Sequence, residues 1–196
     1  MHPPFPNLAF AIAFVGILVA GLGYAAYVDW VTLKVPKWLT LGMLGCGVAI
    51  NAIRGAWLGA EGHPTWILDA DNAAVGALDG LLLAVAGFLV GFVVFFAFWI
   101  FGLGGGGDVK LVAATGAWLG WFIVLIAIAL SLPFLVAVTV VVSAWRISGG
   151  RLPATAVQGG TRQRTITTYS LPFAMGVGVV LTILMVAYVK QLYPDG

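Results

Sequence analysis

Charge is what this 196-residue chain has least of: Asp, Glu, Lys and Arg together make up 8% of it, against 62% hydrophobic residues. A water-soluble domain of this size needs far more polar surface to cover its core, so that class is excluded. Cysteine occurs once, at Cys46, which excludes an internal disulfide and a multi-cysteine zinc site. The two histidines, His2 and His63, fall in separate loop-like stretches and make no metal site. No metal and no cofactor is therefore expected. A net charge of +2 is too small to point to a nucleic-acid partner. The opening residues, MHPPFPNLAF, lack the basic stretch that begins a signal peptide, so the first apolar run reads as a retained span.

What is present is a series of long apolar runs. A helix rises about 1.5 Å per residue and the hydrocarbon core is about 30 Å thick, so about 20 apolar residues cross it. The first run extends from Leu8 to about Val28, the second from about Trp38 to Ile53, and the third from Ala73 to Phe101. The region from Lys110 to Trp145 is 36 residues long and as one helix would reach about 54 Å, nearly twice that thickness. It is read as two helices with a turn near GAWLGW, Gly116 to Trp121, where tryptophans suit a membrane interface. A turn near Ser131 to Pro133 is the alternative. The last run extends from about Leu171 to Lys190. The expected fold is all-α: a polytopic membrane protein of six transmembrane helices, one domain over 1–196, with the lipid bilayer as its constant partner.

Basic residues set the orientation. With both termini outside, Lys34, Lys37, Lys110, Arg146, Arg151, Arg162 and Arg164 face the cytoplasm, and only Arg54 and Lys190 lie outside. The loop from Arg54 to Asn72 carries Glu61, Asp69 and Asp71, which suits the outer side. Asp79, near the outer end of the third run, is assigned to helix packing or the interface rather than to chemistry. The loop from Ile147 to Ser170 reads as an ordinary basic cytoplasmic loop. GFLVG (Gly87–Gly91) and GAWLG (Gly116–Gly120) fit the small-xxx-small pattern of close helix packing.

Two aspartates remain. Asp29 ends the first span, and Asp108 follows four consecutive glycines where the third span gives way to the fourth. In the six-span topology both lie at the cytoplasmic side, at similar depth, although 79 positions separate them in sequence. An ionisable residue in a membrane span is a functional candidate by default. Two carboxylates held about 3 Å apart share one proton: the ionised one accepts a proton from water and the protonated one donates to a peptide carbonyl. That is the division of labour of metal-free aspartic proteolysis. The glycines beside Asp108 leave room for an extended peptide to approach. Gly102, Gly104 and Gly107 also fit G-x-G-x-x-G, but no βαβ unit surrounds them, and the run lacks the ending of a phosphate-binding P-loop.

Three stretches carry a family resemblance. They are GGGDVKL (Gly105 to Leu111), DWVTLKVP (Asp29 to Pro36) and, more weakly, SLPFAMG (Ser170 to Gly176). With them the chain resembles the type IV prepilin peptidases, which belong to the GxGD membrane aspartic proteases. The resemblance implies an aspartic endopeptidase of the inner (cytoplasmic) membrane, with its active site at the cytoplasmic side. Its substrates would be pilin-like precursors, each cut between a basic leader and an apolar helix. It implies Asp29 and Asp108 as the catalytic pair. Gly105, Gly107, Lys34, Pro36 and Lys110 would be motif members around the substrate. Two features depart from the family pattern. Lys37 stands where the family often has Asn. No paired CxxC motif is present, so the resemblance is to the short peptidase-only branch that serves Flp/Tad-type pili or archaeal flagellins, and N-methylation does not carry over. Two other classes compete on the residues alone: a small proton- or ion-coupled transporter, and a non-catalytic factor of pilus or secretion assembly.

Overall fold

A computed structural model describes residues 5–32, 35–63, 65–101, 105–147 and 170–192. Lys34, Gly102, Gly104 and the loop arginines 151, 162 and 164 lie outside the described residues. The described chain is helical: α1 (Leu8–Thr32), α2 (Lys37–Ala60), α3 (Ala73–Ile100), α4 (Gly106–Ile147) and α5 (Ser170–Leu192). Each contains a segment long and apolar enough to cross a membrane. The protein is thus a polytopic helical membrane protein, with five such helices among the described residues where the sequence suggests six.

Local chemistry explains the helix ends. Asn7 accepts from Phe10 N–H through Oδ1 at 2.8 Å, which caps the start of α1. Asn72 does the same for α3, accepting from Val75 N–H at 2.9 Å. Pro36, extended at φ −65° and ψ 138°, precedes α2. At the far end of α2, Gly62 takes a positive φ of 69°. There His63 N–H donates to Leu58 O at 2.9 Å and Gly62 N–H to Gly59 O at 3.3 Å. This pair of bonds is the Schellman termination that a left-handed glycine permits.

Two boundaries differ from the sequence reading. The second span does not stop at Ile53; α2 continues to Ala60 and carries Arg54 inside the bundle, 6% exposed, rather than in an outer loop. The charge does not end the helix because three aromatic rings cover it. The fourth region is a single element whose helical backbone is interrupted at one residue, Gly120 (φ 78°, ψ 170°). That residue lies within the 116–121 stretch where the sequence suggests a turn. At Pro133, the alternative turn position, the backbone stays helical.

Glycine sets the spacing of the central helices. Gly87 of α3 and Gly116 of α4 touch backbone to backbone, so that a Cβ on either would collide with the other's carbonyl. The same holds for Gly55 of α2 and Gly76 of α3. Close approach of small residues is how membrane helices gain packing energy, since lipid tails provide no hydrophobic drive between them. One turn from each Gly87–Gly116 partner, Gly91 lies against Val112 and Gly120 against Leu83, so GFLVG and GAWLG pack on each other.

The break at Gly120 has a polar solution. A helix interrupted there releases the carbonyls just before it, which need other donors in a dry interior. Asn51 of α2, fully buried, donates from Nδ2 to Ala117 O at 2.6 Å and to Trp118 O at 3.0 Å. Trp118 in turn donates from Nε1 to Met43 O at 2.7 Å. Beyond the break, Ala127 and Ser131 of α4 lie against Gly176 of α5. Phe173, three residues before that glycine, meets Phe95 of α3 edge-on at 6.0 Å.

Candidate active site

Asp29 lies in the last turn of α1 and Asp108 in the first turn of α4, and both are buried, at 6% and 8% exposure. They are close enough for the Asp29 charge to act on Asp108. The loop motif between α1 and α2 meets the glycine motif independently of the carboxylates. Val35 side-chain atoms lie 3.5 Å from where a Cβ on Gly107 would stand. Two sequence motifs far apart along the chain thus come together at one end of the bundle.

The glycine–aspartate motif also builds its own helix start. Gly105 is the residue before α4, and Asp108 is the third helical residue. Asp108 Oδ2 reaches back to accept from Gly105 N–H at 3.0 Å, the acidic half of a capping box. Asp108 N–H and Val109 N–H both point to Gly105 O, at 3.1 and 3.3 Å. This bond holds one carboxylate oxygen in a fixed position. A Cβ on Gly105 would stand 3.1 Å from Oδ2, so the absence of a side chain there keeps that oxygen uncrowded.

The remaining motif members divide. Pro36 starts α2 and accepts from Thr40 N–H at 3.4 Å, a structural part. Lys110 is exposed. Two residues on from Asp108 in a helix, it projects from a different face and does not join the pair. Lys34 lies outside the described residues. In the third motif, Phe173 and Gly176 pack against α3 and α4 and bring no ionisable group to the aspartates. The residue that sequence reasoning passed over is Trp99, at the end of α3. Its indole Nε1 comes within 3.9 Å of where a Cβ on Gly106 would stand, and the side chain is half exposed at the edge of the motif. Its place at the end of an apolar run was a signal only of a membrane interface. Among the described residues, no group of three or more His, Cys, Asp or Glu is placed to hold a metal ion.

Five apolar helices, with a buried aspartate at the end of α1 and another at the start of α4, define a polytopic membrane protein. Residues 16–141, well over half of the chain, match the type IV leader peptidase family, and the chain belongs to that family. No curated protein and no solved structure matches it at a significant level.

Proposed function

We propose that this protein is a membrane aspartic endopeptidase that removes the basic leader from type IV pilin-like precursors, with Asp29 and Asp108 as its catalytic pair. The observation that supports the reading is the placement of both buried aspartates at helix ends, near enough for one charge to act on the other, in a chain of the leader peptidase family. One carboxylate, ionised, takes a proton from a water whose oxygen attacks the scissile carbonyl. The other, protonated, donates to the carbonyl oxygen. The tetrahedral intermediate then collapses, the C–N bond breaks, and the proton taken from water passes to the leaving nitrogen. The two carboxylates titrate as a unit, so acid and base are properties of the pair. The hydrogen bond from Gly105 occupies Asp108 Oδ2 and leaves Oδ1 for the shared proton. Gly105 and Gly107 give the substrate backbone room, and Val35 and Pro36 form the opposite edge.

The proposed topology has six passes, both termini outside, and the active site at the cytoplasmic face of the inner membrane. Packing along α4 supports the reversal near Gly120 that six passes require. Gly120 lies beside Leu83, whereas Ala127 and Ser131 lie beside Gly176, near the level of Phe95 and Phe173. A chain that rises along α3 to Gly120 and returns along α5 makes these contacts. Lys37 and Lys110, near the starts of α2 and α4, then share the cytoplasmic side.

Co-expression with a pilin-like precursor tests the proposal. Asp29→Asn and Asp108→Asn should each leave the precursor uncut while the protein stays in the membrane. Cleavage at the wild-type rate by either variant would reject the pair. Ion uptake into proteoliposomes without proteolysis would favour a carrier instead.

A further inference from the structure

Arg54 is the buried charge that the peptidase reading leaves unused. It sits in α2 six residues before the helix end at Ala60, so about 9 Å from that end and opposite the aspartate pair. Its guanidinium lies 4.2 Å from the ring centroid of Trp66 and 5.4 Å from that of Phe14. Ring faces attract a cation, but they do not replace a hydrogen-bonded anion. Asp79 is near enough to act on Arg54 electrostatically, yet its two oxygens are taken by three backbone N–H groups, those of Trp66, Ile67 and Leu68. Among the described residues no carboxylate comes within ion-pair distance of Arg54, and its Nε is buried without a hydrogen-bond partner.

The same side chain lines a cavity of about 350 Å³ whose other walls are apolar, among them Leu83, Trp118 and Leu184. Trp66, Trp121 and Phe122, also in the lining, are exposed, which gives the cavity a mouth on the surface of the bundle. A single cation at the head of an apolar chamber, within membrane-spanning helices, fits a ligand with one negative charge and a hydrocarbon body. Inorganic phosphate fits poorly, because its remaining oxygens would lose their hydration against rings and leucines.

We propose that this cavity binds an anionic phospholipid, its phosphate on Arg54 and the first part of its acyl chains against the aromatic and leucine walls. The phosphodiester supplies the acceptors that Arg54 lacks, and the chains fill the space that water would occupy at a cost.

Native mass spectrometry of the purified, delipidated protein tests this with three probes: phosphatidylglycerol, a diacylglycerol with the same chains, and inorganic phosphate. Phosphatidylglycerol should bind at least about tenfold more tightly than either of the others, the equivalent of one charge-assisted hydrogen bond or more. Arg54→Gln should lower phosphatidylglycerol binding by a similar factor and leave diacylglycerol unchanged. Leu184→Trp keeps the cation but fills the chamber, and should lower binding of both lipids. Equal retention of phosphatidylglycerol by wild type and Arg54→Gln would overturn the proposal, as would inorganic phosphate binding as tightly as the lipid. Should Arg54→Gln fail to fold, undiminished lipid binding by Leu184→Trp would overturn it equally. The readout is binding rather than cleavage, so it stands or falls apart from the peptidase reading.

Discussion

Asp79 and Asp108 are both buried carboxylates on helices of one bundle, at opposite ends, and they are partnered in opposite ways. Asp79, fully buried, accepts from three consecutive backbone N–H groups at 2.7–2.9 Å and so ties the α2–α3 loop to α3. Asp108 accepts one N–H from its own helix start and lies near enough to Asp29, at the end of α1, for that second carboxylate to act on it. A carboxylate whose lone pairs are spent on backbone donors holds structure. One placed beside its own kind, with an oxygen to spare, has a proton to share and is available for chemistry. Burial alone does not separate the two; the partners do.

Substitutions sharpen that contrast. The largest expected effect is on cleavage: Asp29→Asn or Asp108→Asn should lower the rate by a factor of about 100 or more, as loss of a general acid or base does. The double variant should be no worse than either single one, because the two act as a unit. Quantified cleavage of a precursor in membranes checks both statements. Asp79→Ala should do the reverse. It removes the acceptor of three part-buried N–H groups and should cost about 3 kcal/mol of stability, read as a lower melting temperature, while the folded fraction keeps its activity. A large activity loss per folded molecule in Asp79→Ala would break the comparison.

Smaller effects follow from the middle of the bundle. Asn51→Leu keeps the volume but leaves the Ala117 and Trp118 carbonyls without their side-chain donor, and should cost about 1–3 kcal/mol. Thermal unfolding in detergent measures it, and an unchanged melting temperature would mean that those carbonyls find other donors. Lys110→Ala should be the mildest change, within about 0.5 kcal/mol in stability, as for an exposed residue away from any buried network. A strong defect in precursor binding would assign Lys110 a role at the site that its position on the helix does not suggest.

Much of this was legible in the sequence, for physical reasons. Long apolar runs have one solution in a bilayer, and the runs beginning at Leu8 and Ala73 became helices close to their expected limits. The oversized run after Lys110 signalled an interruption, and Gly120 supplies it. The link between Asp29 and Asp108 was visible through depth and charge, since one bundle end gathers both. What stayed hidden depends on contacts between distant residues. Arg54 looked like the end of a span because a charge in lipid is costly. Its cover comes from Phe5, Phe14 and Trp66, which no local pattern connects to it. Asn51 is a polar residue inside the second apolar run, and its purpose appears only once the helix break at Gly120 is set beside it. The bond from Gly105 to Asp108 lay hidden in a glycine run that reads as flexible, although the spacing of three is that of a capping box.

The most direct test of the catalytic pair is mass spectrometry of a pilin-like precursor incubated with the purified protein, its Asp108→Asn variant and its Asp79→Asn variant. The account predicts a single cut at the junction of basic leader and apolar helix by the wild type and by folded Asp79→Asn, and an intact precursor with Asp108→Asn. Cleavage by Asp108→Asn at the wild-type rate, or no cleavage of any pilin-like precursor by the wild type, would contradict it.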